Sequence, residues 1–393
     1  MNKQLIIALG LVVLATPALA SKARLAALGE DIYGSFYISD NRNIFYNAAQ
    51  LNNHKDLVTM EWGNTTAAKD SNQSPRAEGG FFKSAGNLVY GIHLGSESNS
   101  SNDLRTAAGV VAYEENNLDL FIAGDAGIKW GANLTYSKSA KDETTSTLGT
   151  GFDASNNKQE AIRTRFGMIA GDLEGYANIN IANKAESTLV APAPAPDPSG
   201  NNEFKENTSY QIGAIYNLMD YRLFADYRSQ SGEAQGGANL DGKLSSSQLQ
   251  VGAGRATKLN DKATLFTKLQ YQRINAENKT GVAQDVGLGG EWVEGLATCD
   301  INNPIFCKKF SASFIPVVVG LEFDAASWLV LRGSVAQAIW GNQKASDKSG
   351  ITESTTLNGG ASVKFGEASI DGSVSNDNTT NVTYSRVAMT YRF

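Results

Sequence analysis

Long apolar runs are nearly absent from this 393-residue chain. The one stretch of any length is Leu5 to Ala15, and the best later one is Ile315-Pro-Val-Val-Val-Gly-Leu321. A membrane-spanning helix needs about 20 apolar residues, so a helical membrane protein is excluded. Cysteine and histidine are equally scarce, at 2 each. No His/Cys cluster has metal-ligand spacing, and phosphate-binding loops and nucleophile elbows are missing, so neither a metal, a cofactor nor an enzymatic activity is expected. Neither sign of charge forms a run: 34 Lys and Arg against 40 Asp and Glu give a formal −6, with no basic stripe for nucleic acid. Proline is rare, 8 against 39 glycines, yet 41% of the residues are apolar, so the chain is not of a disordered composition.

What is present begins with a leader. Lys3, the apolar run and Thr16-Pro-Ala-Leu-Ala20 have the n-region, h-region and small-residue site of a secretory signal peptide, cut between Ala20 and Ser21. Such a run is shorter than the roughly 17 residues a retained anchor needs. Three parts are expected: residues 1–20 as signal peptide, 21–56 as a periplasmic or lumen-plugging segment, and 57–393 as the main body.

From residue 57 onward the dominant signal is strict alternation. Ile128, Trp130, Ala132, Leu134 and Tyr136 form one face, and Lys129, Gly131, Asn133, Thr135 and Ser137 the other. The same split sets Ile162, Thr164, Phe166 and Met168 against Arg163 and Arg165, and Tyr221, Leu223, Ala225 and Tyr227 against Arg222, Asp226 and Arg228. Leu265, Leu269 and Tyr271 oppose Lys268, Gln270 and Gln272; Leu357, Ala361, Val363 and Phe365 oppose Asn358, Ser362 and Lys364. A period of two over this many segments reads as strands throughout. One closed interior cannot hold so many apolar side chains, whereas lipid outside and water inside accommodate both faces. The expected fold is an all-β transmembrane antiparallel barrel.

Connection lengths support this. Short links at 85–87, 171–172, 219–220, 259–261, 325–327 and 366–367 alternate with long ones at 64–77, 139–159, 186–206, 232–245, 276–310 and 341–353, as periplasmic turns and extracellular loops do. The count is about 16 strands, with 14 or 18 as alternatives. It takes 57–63 and 78–84 as the first two and 116–127 as a long inner connection, unless Leu118–Asp125 is itself a strand. Proline agrees: only Pro316 enters a strand, near its outer end, and Pro192, Pro194, Pro196 and Pro198 crowd one loop. At the C-terminus Val387, Met389, Tyr391 and Phe393 share a face.

Together the leader, the amphipathic strands and the terminal Tyr391-Arg392-Phe393 resemble Gram-negative outer-membrane porins over most of the mature chain. More narrowly, Asn43-Ile-Phe-Tyr-Asn47-Ala-Ala-Gln-Leu51 and Gly127–Tyr136 are similar to porin-like major outer-membrane proteins of deltaproteobacteria. Asn47-Ala-Ala49 is also similar to the Asn-Pro-Ala of long-chain fatty-acid channels, although Ala48 departs from that pattern. The porin resemblance implies that the barrel-assembly machinery reads Val387, Met389, Tyr391 and Phe393. It implies a homotrimer and a third long loop folded inward, which makes Asp142, Glu143 and Asp153 constriction candidates beside Leu118–Asp125. An ordinary solvated loop is the other reading of 139–159.

The function expected is passive diffusion of small hydrophilic solutes and ions through an outer-membrane pore, with outer-membrane lipid and lipopolysaccharide around it. The pore-lining charges are Lys129, Arg163, Arg165, Arg222, Arg228, Lys268, Arg332, Lys364 and Arg386 against Glu61, Glu174, Asp226, Glu322 and Asp371. A basic lumen favours anions, unless opposite walls offset one another. Cys299 and Cys307, in the longest loop, are expected to form a disulfide in an oxidising compartment. His93, on a polar face, is a candidate catalytic residue only if it has a partner, and otherwise a wall residue. The alternatives are a transporter for hydrophobic compounds with an N-terminal hatch, and a structural or adhesive barrel.

Overall fold

In the computed structural model the alternating segments close into a cylinder. The structure describes residues 21–63, 76–96, 105, 112, 114, 116–142, 153–190, 200–207, 209–236, 241–279, 309–345, 348–350, 355–377 and 382–393. Among them are sixteen antiparallel wall strands: β1 Leu57–Gly63, β2 Arg76–Ala85, β3 Leu88–Leu94, β4 Asn117–Asp125, β5 Lys129–Asp142, β6 Asp153–Ala170, β7 Leu173–Val190 and β8, which runs as Gly200–Glu206 and Ser209–Leu218. They continue as β9 Tyr221–Gln235, β10 Gly242–Asn260, β11 Ala263–Asn278, β12 Lys309–Ala326, β13 Leu329–Ala345, β14 (Lys348–Gly350 and Thr355–Phe365), β15 Ala368–Asp377 and β16 Val382–Arg392. Strand β1 pairs with β2 on one side and β16 on the other, so the described wall has no free edge.

The exposure pattern is that of a barrel turned toward lipid. Met60, Leu269 and Leu357 are exposed, while Thr59, Gln272 and Ser362 on the opposite faces are buried. Exposed rings form two belts: Phe81, Tyr90, Trp130, Tyr216, Tyr221 and Phe323 near one end, then Trp62, Tyr136, Tyr210, Tyr271 and Trp340 further along the strands. Such girdles bound an apolar band about 25 Å tall. Among the described residues the tight turns lie at the first end, where Gly171 and Gly366 hold φ of +57° and +60° and an added Cβ would meet nothing within 4 Å. Asp56 and Phe393 meet at that end too, Phe393 N donating to Asp56 O at 3.2 Å.

The strand count of sixteen agrees with expectation, but strand four does not. The residues read as an inner connection, 116–127, hold β4, Asn117–Asp125. The long loops also start later than the alternation suggests. β5 runs to Asp142 and β6 starts at Asp153, so both residues sit in ladder positions, Asp142 opposite Asn156 and Asp153 opposite Val190. Pro316 sits where the β12–β13 register shifts, which spares it a ladder donor.

Candidate functional site

Sixteen strands enclose a lumen wider than their own side chains fill. Residues 21–56 occupy it. Ser21 caps a single helix, α1 (Lys22–Ala27), its Oγ accepting from Arg24 N at 3.0 Å. Gly29, at φ +73°, ends that helix against Ser334 and Val318 of the wall. Two 3₁₀ turns follow: Asn41–Phe45, capped by Asp40, and Ala48–Asn53, capped by Asn47. Charged side chains of the segment are buried here: Arg24 is 6% exposed, Arg42 2% and Asp40 0%.

They are buried because the wall supplies partners around the circumference. Arg24 Nε donates to Glu322 Oε2 at 2.9 Å, and its Nη1 to Ser39 O at 3.0 Å and Asp40 Oδ2 at 3.3 Å. Arg42 Nη1 lies 3.1 Å from Glu78 Oε1 and 4.0 Å from Glu61 Oε1, with its guanidinium 4.3 Å above the Phe45 ring. Lys22 Nζ reaches Glu78 at 2.5 Å and Lys268 Nζ reaches Glu30 at 2.6 Å. Gln50 donates to Glu174 Oε2 at 2.6 Å, and Lys129 Nζ to Asn53 Oδ1 at 2.7 Å. Apolar contacts fill the gaps: Ile44, Phe45 and Leu51 cluster with Phe82, Val89 and Phe121, while Phe36 stacks on Phe224 at 4.8 Å. His93 is sealed under Phe45, ring to ring at 5.0 Å.

Burial within the segment moves protons. It pushes the Asp40 carboxyl up to about 7, against the pull of Arg24 beside it. A raised carboxyl binds its proton more readily when docked, so this group favours docking at low pH and the advantage is lost as pH rises through about 7. His54 acts oppositely: burial lowers it from 6.5 to about 3, so its neutral docked form loses ground as pH falls below 6.5.

The residues expected to line the pore face inward, and most are already paired. Arg332 bonds Glu322 at 2.7 Å and Asp371 at 2.8 Å. Arg222 pairs with Glu174, Arg163 with Glu114, and Arg165 with Asp119 at 3.0 Å. Lys364 lies 3.3 Å from Asp324, and Asp226 accepts from the Tyr176 hydroxyl at 2.6 Å. Arg386 is buried and Arg228 half-buried on their inward faces. The basic excess expected of the lumen is thus offset locally. As for the constriction, the described residues of the β3–β4 connection lie in the lumen: Arg105, Ala112 and Glu114 are buried, with Arg105 Nε donating to Asn183 at 3.0 Å. Ala20, Glu143, Cys299 and Cys307 lie outside the described residues. Val387 is half-buried on the outer face, and Met389, Tyr391 and Phe393 are exposed there.

One feature had no advance signal. Gly131 and Gly167 are direct cross-strand partners, and the 48–53 turn rests on them: a Cβ on Gly131 would collide with the Ala48 carbonyl, and one on Gly167 with the Asn47 side chain. Gly131→Ala is therefore expected to unseat the turn while the barrel forms. Limited proteolysis should cut the variant within 40–56 and leave the wall intact. Gly372→Ala, whose Cβ would have nothing within 4 Å, is the control that should behave as the parent.

No family model and no curated protein sequence matches the chain. Among solved structures, it is similar to the Ralstonia pickettii toluene transporter TbuX (14% identity, TM-score 0.36, 96% of this chain and 99% of that one). It is similar to a Pseudomonas aeruginosa FadL homologue (12%, TM-score 0.42, 96% and 99%) and to a porin (13%, TM-score 0.37, 86% and 99%).

Proposed function

We propose that the chain is an outer-membrane uptake channel for small, largely apolar molecules, closed by its own residues 21–56. The observation that carries this is the docked segment, whose side chains are buried and bonded to strands on all sides of the lumen. An open porin for hydrophilic solutes leaves that volume to water. The class of cargo rests on the long-loop half of the lumen, where Phe204, Leu244 and Ala234 form one inward apolar cluster and Ile274, Ala312 and Phe314 another. With its cations paired, the lumen offers little selection by charge, so the weak anion preference is not part of this reading.

The test is uptake by Gram-negative cells whose lipopolysaccharide leaflet excludes apolar compounds. Cells making the chain should take up a labelled toluene-sized arene several-fold faster than vector controls, with labelled arabinose unchanged. Faster arabinose with an unchanged arene would overturn the apolar assignment in favour of a hydrophilic pore.

A further inference from the structure

The outer surface of the wall carries a second feature, above the long-loop belt of rings. Cross-strand register sorts the outward side chains of β9–β13 into rows. Ala225, Val251, Tyr271, Ile315 and Trp340 make an apolar row at the belt. One step outward, Leu249 is joined by Arg273 and Ser313. The next row is wholly polar: Ser229, Ser247, Asn275, Ser311 and Lys344. Beyond it come Ser231, Ser245, Glu277 and Lys309. These last two rows line a cavity of about 530 Å³ on the wall. Their serines are only half-exposed, so the surface is recessed there.

We propose that this recess binds the phosphorylated sugar headgroup of an outer-leaflet glycolipid. The assignment rests on the outer-membrane location given above. Hydroxyls and an amide spaced along the ladder match a sugar's alternating donors and acceptors. Three cations surround them: Arg273 on the membrane side, Lys344 at the β13 end of the first polar row, and Lys309 in the row beyond. Glu277 would repel a phosphate alone, but Lys279 at 3.3 Å and Lys309 at 3.4 Å neutralise it. The row below is apolar, so acyl chains descend along Leu249, Val251 and Ile315 while the headgroup stays at the recess. A free phosphate would leave the serine ladder unused.

Native mass spectrometry of the full chain in detergent, titrated with bisphosphorylated lipid A, tests this. The parent should retain one lipid A in preference to phosphatidylglycerol, and to dephosphorylated lipid A. Arg273→Ala, Lys309→Ala and Lys344→Ala together should weaken retention by about tenfold. The charge-keeping set Arg273→Lys, Lys309→Arg and Lys344→Arg should restore it, and heat-modified gel migration shows that each variant is folded. Equal retention of lipid A by the alanine set, or equal binding of phosphatidylglycerol by the parent, overturns the site. Density-gradient fractionation separates the two readings. A chain outside the outer membrane overturns the location, and one inside it without lipid A preference overturns the site alone.

Discussion

Deleting residues 22–53 should convert a closed barrel into a pore with steady conductance in planar bilayers. The ladder of sixteen strands does not use the segment for a single described strand pairing, so the wall folds without it. The deleted residues carry three cations, Lys22, Arg24 and Arg42, and three carboxylates, Glu30, Asp31 and Asp40, so the net charge of the lumen is unchanged. Glu322 and Glu174 keep Arg332 and Arg222 as partners on the wall. The readout is therefore the conductance and not its ion preference. An intact chain that conducts as steadily as the deletion would sink the plug. Arg42→Ala is the graded version: stripping one partner from a buried ion pair costs about 3–5 kcal/mol. Brief openings should appear in that variant and become rarer when Glu61→Gln and Glu78→Gln remove the charges left behind.

Where the sequence was read correctly and where it failed both follow from which medium each face meets. Between the aromatic belts one face meets lipid and the other the lumen, so Tyr221 to Arg228 alternates cleanly and its faces are those of the structure. Beyond the long-loop belt the outward face turns polar as well. Lys184 and Glu186 of β7 face outward there, the period of two disappears while the ladder continues, and loops at 139–159 and 186–206 look longer than they are. Strand β4 was obscured for the reverse reason. Its inward face includes Phe121 and Ala123, which pack on Phe45 and Leu51 of the segment, so Leu118 to Ala123 reads as a nearly continuous apolar run. The segment itself has no period to detect, being one helical turn and two 3₁₀ turns. Arg24 finds Glu322 at a separation of 298 residues, a pairing that only the closed wall brings about. Individual lumen charges were legible from alternation, but their partners were not, and the partners decide whether the lumen is charged.

The final strand gives the other large effect. β16 closes the ring, pairing Leu57 with Arg392 and Val58 with Tyr391, and Arg392 N donates to Glu367 O at 3.0 Å. Past it the Phe393 ring stacks on Phe81 at 5.7 Å and lies 4.6 Å from Lys83 Nζ, on the lipid face of the belt at the tight-turn end. Asp56, which hands the chain from the lumen to β1, is fixed at the same point: its carboxylate accepts from Ser84 N at 3.0 Å and from the Ser84 hydroxyl at 2.7 Å. Removing Tyr391–Phe393 deletes the outer rings, breaks the Phe393–Asp56 bond and frees the start of β1, so little folded barrel should form either in cells or on refolding into detergent. Phe393→Ala separates two roles. It keeps the backbone pairing and loses the ring, so refolding of the purified chain should be nearly normal. We propose that the barrel-assembly machinery reads the Phe393 ring, so that assembly in cells nevertheless falls several-fold. Heat-modified migration measured in both settings decides between them. An equal loss in both would make Phe393 a packing residue of the seam, and no loss in cells would remove it from the assembly signal.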